Sequence, residues 1–211
     1  MKNKTVEEKI RQAKKEHSKS KQENTKRLPP GQTLTDKFPV LDLGITPEIS
    51  FDNWYLTIYG LVNRELKLSI EDLKKCKQVI HISDFHCVTH WSKFDVAWGG
   101  VSLKDLLDYA DLKPEGQFAT LYSYDDYTTN LPVKALQDND VILAYELEGE
   151  LLKKEHGGPV RVVVPKRYAW KSAKWIKAIE IHAEDRPGFW EVRGYHNDAD
   201  PWQEERYSGE D

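Results

Sequence analysis

Only two cysteines, Cys76 and Cys87, occur in 211 residues. That excludes the disulfide framework of a small secreted domain and leaves one bridge or two free thiols. No apolar run approaches the roughly 18 residues that cross a bilayer, so no transmembrane segment is expected. No apolar stretch of roughly 7–15 residues follows the basic amino-terminal residues, and no Arg-Arg pair marks them for export. A cytoplasmic location is the expectation. Neither G-x-x-x-x-G-K nor G-x-G-x-x-G occurs, which removes the standard phosphate and dinucleotide loops. C-x-x-C-H and an iron–sulfur cysteine set are also missing, so no heme and no iron–sulfur cluster are expected. No internal repeat is visible.

Large aromatics are plentiful: seven Trp, ten Tyr and six Phe. Each can anchor a core by burying a large surface. Charge is unevenly spread. Residues 1–27 hold ten Lys or Arg and four Glu, a balance of +6, while the rest of the chain has 21 basic and 31 acidic groups, a balance of -10. Residues 1–28 have few apolar side chains beyond Val6, Ile10 and Ala13, so they read as a flexible basic extension, helical at most as a solvated helix. They contain no aromatics and the acidic body repels phosphate, so no nucleic-acid partner is expected.

Pro29-Pro30-Gly31 opens the folded body, expected as one domain over 29–211. Strands are expected at Trp54–Tyr59, Leu66–Ile70, Val79–Ile82, 118–124, 127–131, 141–147, 160–164 and Trp175–His182. Ser69 with Asp72, and Ser102 with Asp105, have the spacing of helix caps. Leu103, Leu106 and Leu107 follow at the spacing of one helix face. Strands outnumber short helices, so the expected class is mixed, strand-dominated α+β. The acidic segment 184–211 keeps Trp190, Tyr195, Trp202 and Tyr207, and is expected to wrap the body in extended form.

Three segments carry more chemistry than a core needs. Cys87 lies at a strand end between His86 and His90, where it fits a nucleophile, a metal ligand or an inert buried thiol. His156-Gly157-Gly158-Pro159-Val160-Arg161 combines glycines that let backbone approach a ligand with an arginine inside an apolar strand. A buried arginine needs a protein carboxylate or a ligand anion. Lys166, Arg167, Lys171 and Lys174 interleave with Tyr168, Trp170 and Trp175, as in an anion-binding loop.

Together, Cys87, Tyr124-Asp125-Asp126-Tyr127-Thr128-Thr129-Asn130-Leu131-Pro132, Leu143-Ala144-Tyr145-Glu146, His156 to Arg161 and Ser172-Ala173-Lys174-Trp175 resemble the molybdenum-binding domain of the sulfite oxidase superfamily. The resemblance runs from about residue 35 to about residue 183. The ending from Phe189-Trp190-Glu191 to Asp200-Pro201-Trp202 resembles the short bacterial and archaeal sulfite oxidase-like oxidoreductases, a group similar to the catalytic subunit of the periplasmic protein-methionine-sulfoxide reductase. The resemblance implies a sulfite oxidase-type fold holding one molybdenum–molybdopterin. It implies Cys87 as the metal ligand, with Ser123, His156, Arg161, Ser172, Ala173 and Lys174 at the cofactor. Tyr127 would line the metal face, and Lys171 stands where the family has a pocket arginine. Two other sulfite-binding arginines are replaced by Leu41 and Ser92. The implied activity is oxygen-atom transfer on a small oxo-substrate, with a sulfoxide or N-oxide ahead of sulfite, and electrons exchanged with a separate carrier protein. The alternative is a non-catalytic molybdopterin-binding protein.

Overall fold

The computed structural model describes residues 5–22 and 27–209. In chain order the regular elements are α1 (Val6–Gln22), β1 (Thr33–Leu34), β2 (Tyr55–Gly60), β3 (Leu66–Ser69), α2 (Ile70–Lys75), β4 (Gln78–Cys87), β5 (Trp91–Ser102) and α3 (Leu103–Ala110). They continue with β6 (Phe118–Ser123), β7 (Thr128–Pro132), α4 (Val133–Leu136), β8 (Ile142–Leu147), β9 (Glu150–Leu151), β10 (Arg161–Val163) and β11 (Ile176–His182). The strands form two sheets. One runs β1-β5-β8-β10, with β4 paired to β5 and β9 to β8; the other runs β3-β2-β11-β6-β7. This is the strand-dominated α+β class.

The main core lies between the sheets. Trp54, Leu56, Ile58, Leu121 and Ile179 face Val101, Leu143 and Val162, with Leu103 and Leu107 of α3 in the same cluster. The capping sites act as their spacing predicts: Ser69 and Asp72 form a reciprocal capping box on α2, and Ser102 accepts from the Asp105 N–H on α3. Trp54 satisfies its indole N–H on the Ile176 carbonyl at 2.8 Å. The aromatic anchors are thus buried without an orphaned donor at this point.

The hairpin β4–β5 positions the site. Cys87 pairs with Trp91 across its mouth, and the tight turn is closed by His90 N–H to Cys87 O at 3.2 Å with His90 at φ 67. Side chains alternate along a strand. Phe85 and Cys87 therefore face one way, towards the cavity described below, while Ile80, Ile82 and Asp84 face the other.

That second face is covered by α1. Its Ile10 is buried against Ile82 and Ala97. Lys14 pairs with Glu148, and His17 meets Asp95 at 2.9 Å. Beyond the helix, Arg27 bridges Asp84 and Asp95, both at 2.6 Å. The described part of the basic segment is therefore a helix packed on the sheet. One buried isoleucine and a set of long-range ion pairs achieve this, and neither is visible in local composition. Arg27→Met is expected to lower stability by about 1–3 kcal/mol, less than for a fully enclosed pair because Arg27 keeps part of its side chain in water. The midpoint of urea unfolding measures it.

The segment after β11 was expected in extended form; it instead packs on the body through two short 3-10 turns, Glu191–Arg193 and Pro201–Gln203.

Candidate active site

The ends of β4 and β10, the loop 169–175, the stretch 38–43 and the segment after β11 enclose one cavity of about 330 Å³. Cys87, Tyr127, His156, Arg161, Ser172 and Lys174 all line it. Residues up to 87 positions apart in sequence are thus brought to one wall system, which no local pattern requires.

Two contact groups divide the wall. One is aromatic: Tyr127, Trp170, Trp190 and Tyr195 share the lining with Cys87 and Thr89. The rings of Trp170 and Tyr195 meet edge to face at 5.2 Å, and Trp190 tilts against Tyr195 at 4.8 Å. The Cys87 sulfur lies 3.1 Å from Thr89 Oγ1. Burial pushes this thiol's pKa up, and the Thr89 hydrogen bonds and the positive charge of Arg206 oppose the rise.

The other group is polar and cationic. Arg161 is almost fully buried, and its guanidinium donates to the carbonyls of His156 and Ser172, both at 2.9 Å. Among the described residues no carboxylate pairs with it. Burial alone holds its pKa down to about 9. Lys174 is lowered to about 8, by burial and then by the Arg161 charge, against the pull of Asp42 at 3.6 Å. The His156 ring stacks on Phe38 at 5.0 Å, and burial lowers its pKa, favouring the neutral imidazole. Ser172 Oγ accepts from the Val164 N–H at 2.9 Å, which leaves its own proton to donate.

Three expected residues lie elsewhere. Lys171 does not face the cavity. It is fully buried, with Nζ 2.6 Å from Glu191 and 2.8 Å from the Asn130 carbonyl. A cationic group expected on the cavity surface is therefore lost, because an internal carboxylate claims it. Ser123 is buried at the end of β6, outside the lining, with no partner for its hydroxyl among the described residues. Ala173 is likewise behind the wall, where its carbonyl accepts from the Val162 N–H. Ser92 is fully buried against His86 and does not reach the cavity, whereas Leu41 lines it.

Two further expectations change in detail. The Tyr127 hydroxyl already donates to the Trp170 carbonyl at 2.6 Å, so its proton is committed to the wall. The glycines 157 and 158 serve loop-to-loop packing. A Cβ at Gly158 would come 2.1 Å from the Leu152 carbonyl, and one at Gly157, with φ +100, would strike Lys174 at 2.9 Å. Sequence reasoning missed Phe38, Thr89, Trp190 and Tyr195 as wall residues. For the last two, the retained aromatics in an acidic segment were the available signal.

Comparison with known proteins agrees with the geometry. Residues 43–190 match the family of the oxidoreductase molybdopterin binding domain. The oxidoreductase YuiH of Bacillus subtilis is 43% identical over 183 residues, covering 86% of this chain and 92% of that protein. A protein-methionine-sulfoxide reductase catalytic subunit of Campylobacter jejuni is 29% identical, over 74% of this chain and 58% of its own length. The sulfite oxidase of Arabidopsis thaliana is 28% identical, over 77% and 51%. The chain thus spans a little over half of these two relatives. Among solved structures, the sulfane dehydrogenase SoxCD of Paracoccus pantotrophus superposes with a TM-score of 0.61 at 27% identity, over 66% of this chain and 41% of that one. A lone thiol at a strand end, a buried arginine without a carboxylate and this match over most of the body agree: the chain belongs to the oxidoreductase molybdopterin-binding family and is a sulfite oxidase-type enzyme.

Proposed function

We propose that this chain holds one molybdenum–molybdopterin through Cys87 and the 156–174 wall, and moves an oxygen atom to or from an uncharged small oxo-substrate, a sulfoxide or N-oxide in preference to sulfite. The cationic wall fits such a group. Arg161 is buried without a counter-ion, an arrangement that costs free energy unless an anion is supplied. The Trp91 indole N–H, on the same cavity, is buried with no partner among the described residues. Arg161, Lys174, Ser172 and Trp91 together offer donors suited to the oxygens and polar edges of a phosphorylated heterocycle.

When bound, the molybdenum supplies the two-electron redox change and the oxygen exchange. Cys87 contributes a soft thiolate, giving up its proton as the metal is taken. The aromatic wall of Trp170, Trp190 and Tyr195 excludes water and presents flat apolar faces to a substrate. Tyr127, its proton held by the Trp170 carbonyl, fixes that wall.

The observation that carries the substrate preference is the position of Lys171. Its pairing with Glu191 removes one expected cation from the cavity surface and leaves Arg161 and Lys174, the two that the cofactor is proposed to engage. A sulfite dianion would compete with the cofactor for those two cations, whereas a neutral S–O or N–O dipole needs no counter-charge. Electrons are exchanged with a separate carrier protein; the Campylobacter relative's name, a catalytic subunit, supports a second chain. The test is a panel of sulfoxides, N-oxides and sulfite, assayed with an artificial electron donor and acceptor. Turnover of at least one sulfoxide or N-oxide with kcat/KM about 10-fold above sulfite, about 1.4 kcal/mol in the transition state, is expected. A preference for sulfite overturns the reading.

A further inference from the structure

Segments far apart in sequence close on the back of the Cys87 turn. From the amino-terminal side, Gln32 donates to the Cys87 carbonyl at 3.0 Å, and the Gly31 carbonyl meets His90 Nδ1 at 2.8 Å. From the segment after β11, Arg206 donates through Nη1 to the Val88 carbonyl at 2.7 Å and through Nη2 to the Pro30 carbonyl at 3.4 Å. Its guanidinium lies 4.8 Å from the centre of the buried Tyr168 ring. The Arg206 side chain is only 6% exposed, and its carboxylate neighbour, Glu204, is 3.8 Å away and half in water. Backbone oxygens and a ring face therefore hold a largely uncompensated positive charge one residue from the thiol.

We propose that Arg206 is a positioning residue of the molybdenum centre: its fork fixes the Cys87–His90 turn through the Val88 carbonyl, and its charge acts on the metal-bound sulfur. The proposal rests on Cys87 being the protein's ligand to the metal. Groups behind a ligand orient it and tune the metal. A planar fork does the first in a way a lysine cannot, while either cation can do the second. The Val88 carbonyl at 2.7 Å and the Tyr168 ring hold that charge one residue from the sulfur. A nearby positive charge also favours the more electron-rich, reduced metal, so its removal lowers the potential.

The holoprotein and two variants, Arg206→Met and Arg206→Lys, are compared by EPR-monitored redox titration and by molybdenum retained during dialysis. Arg206→Met is expected to lose molybdenum about 10–100-fold faster and to show a lower molybdenum potential. Arg206→Lys is expected to keep a potential near that of the parent protein while also losing metal faster. A merely structural arginine would not move the potential. Parental potential and parental retention in Arg206→Met overturn the proposal. If that variant does not fold, parental retention in Arg206→Lys does the same. A parent protein that takes up no molybdenum would instead overturn the Cys87 assignment, and this inference with it.

Discussion

Replacement of Cys87 by serine is expected to abolish molybdenum binding, from about one metal per chain in the parent protein to a small residue, with activity lost in step. Serine changes one atom, so packing at this buried position is nearly conserved. What changes is the donor. A thiol can give up its proton to a metal and becomes a soft thiolate donor, while a serine hydroxyl is a harder donor that stays protonated. Burial, which raises the Cys87 pKa, would penalise an alkoxide still more. Cys76 provides the control. It is half-buried at the end of α2, with its sulfur against the Asp72 carbonyl at 3.4 Å and no place on the cavity. Cys76→Ser is therefore expected to keep full metal. Elemental analysis of the three proteins decides; full molybdenum in Cys87→Ser would remove the assigned ligand.

The second large effect concerns stability. Lys171→Met should destabilise the fold by about 3–5 kcal/mol, because it strands a buried carboxylate. Glu191 is enclosed and takes three donors on one oxygen: Lys171 at 2.6 Å, and Trp170 Nε1 and Thr129 Oγ1 at 2.9 Å. Set against a typical total of roughly 5–15 kcal/mol, such a loss is a large fraction of the stability. Glu191→Gln in the Lys171→Met background is expected to recover much of it, since the amide oxygen still accepts from Trp170 and Thr129 without a charge to neutralise. Chemical unfolding of the parent, single and double variants forms the cycle. Additive losses would show that Lys171 and Glu191 do not act as a pair. Because the network lies directly behind Trp170, the aromatic wall should loosen before the Arg161 end does.

Much of the fold was legible. The valine run at 160–164 contains β10, the segment Trp175–His182 contains β11, and both helix caps act where Ser-x-x-Asp places them. β5 was missed, although it is the longest strand. Its Gly99 and Gly100 argue against a strand by propensity, yet both are required: a Cβ at Gly100 would meet the Leu143 carbonyl at 2.0 Å, and one at Gly99 the Glu146 side chain at 2.4 Å. Close approach of β8, a tertiary fact, overrode the local signal. The family resemblance grouped Cys87, His156, Arg161 and Lys174, each weakly marked by its own segment, and these four line one cavity. The site was not legible where a distant partner decides direction. Lys171 has the composition of a pocket cation and is turned inward by a carboxylate twenty positions later.

The cavity wall is not complete until Trp190 and Tyr195, and behind the thiol Arg206, have joined strands formed by residues 78–102. A nascent chain that has exposed only its first 180 residues outside the ribosome has the thiol and the buried arginine, but neither the aromatic wall nor the brace behind the thiol. The proposed cofactor could therefore be held in a finished pocket only after residues 184–209 have left the ribosome and packed.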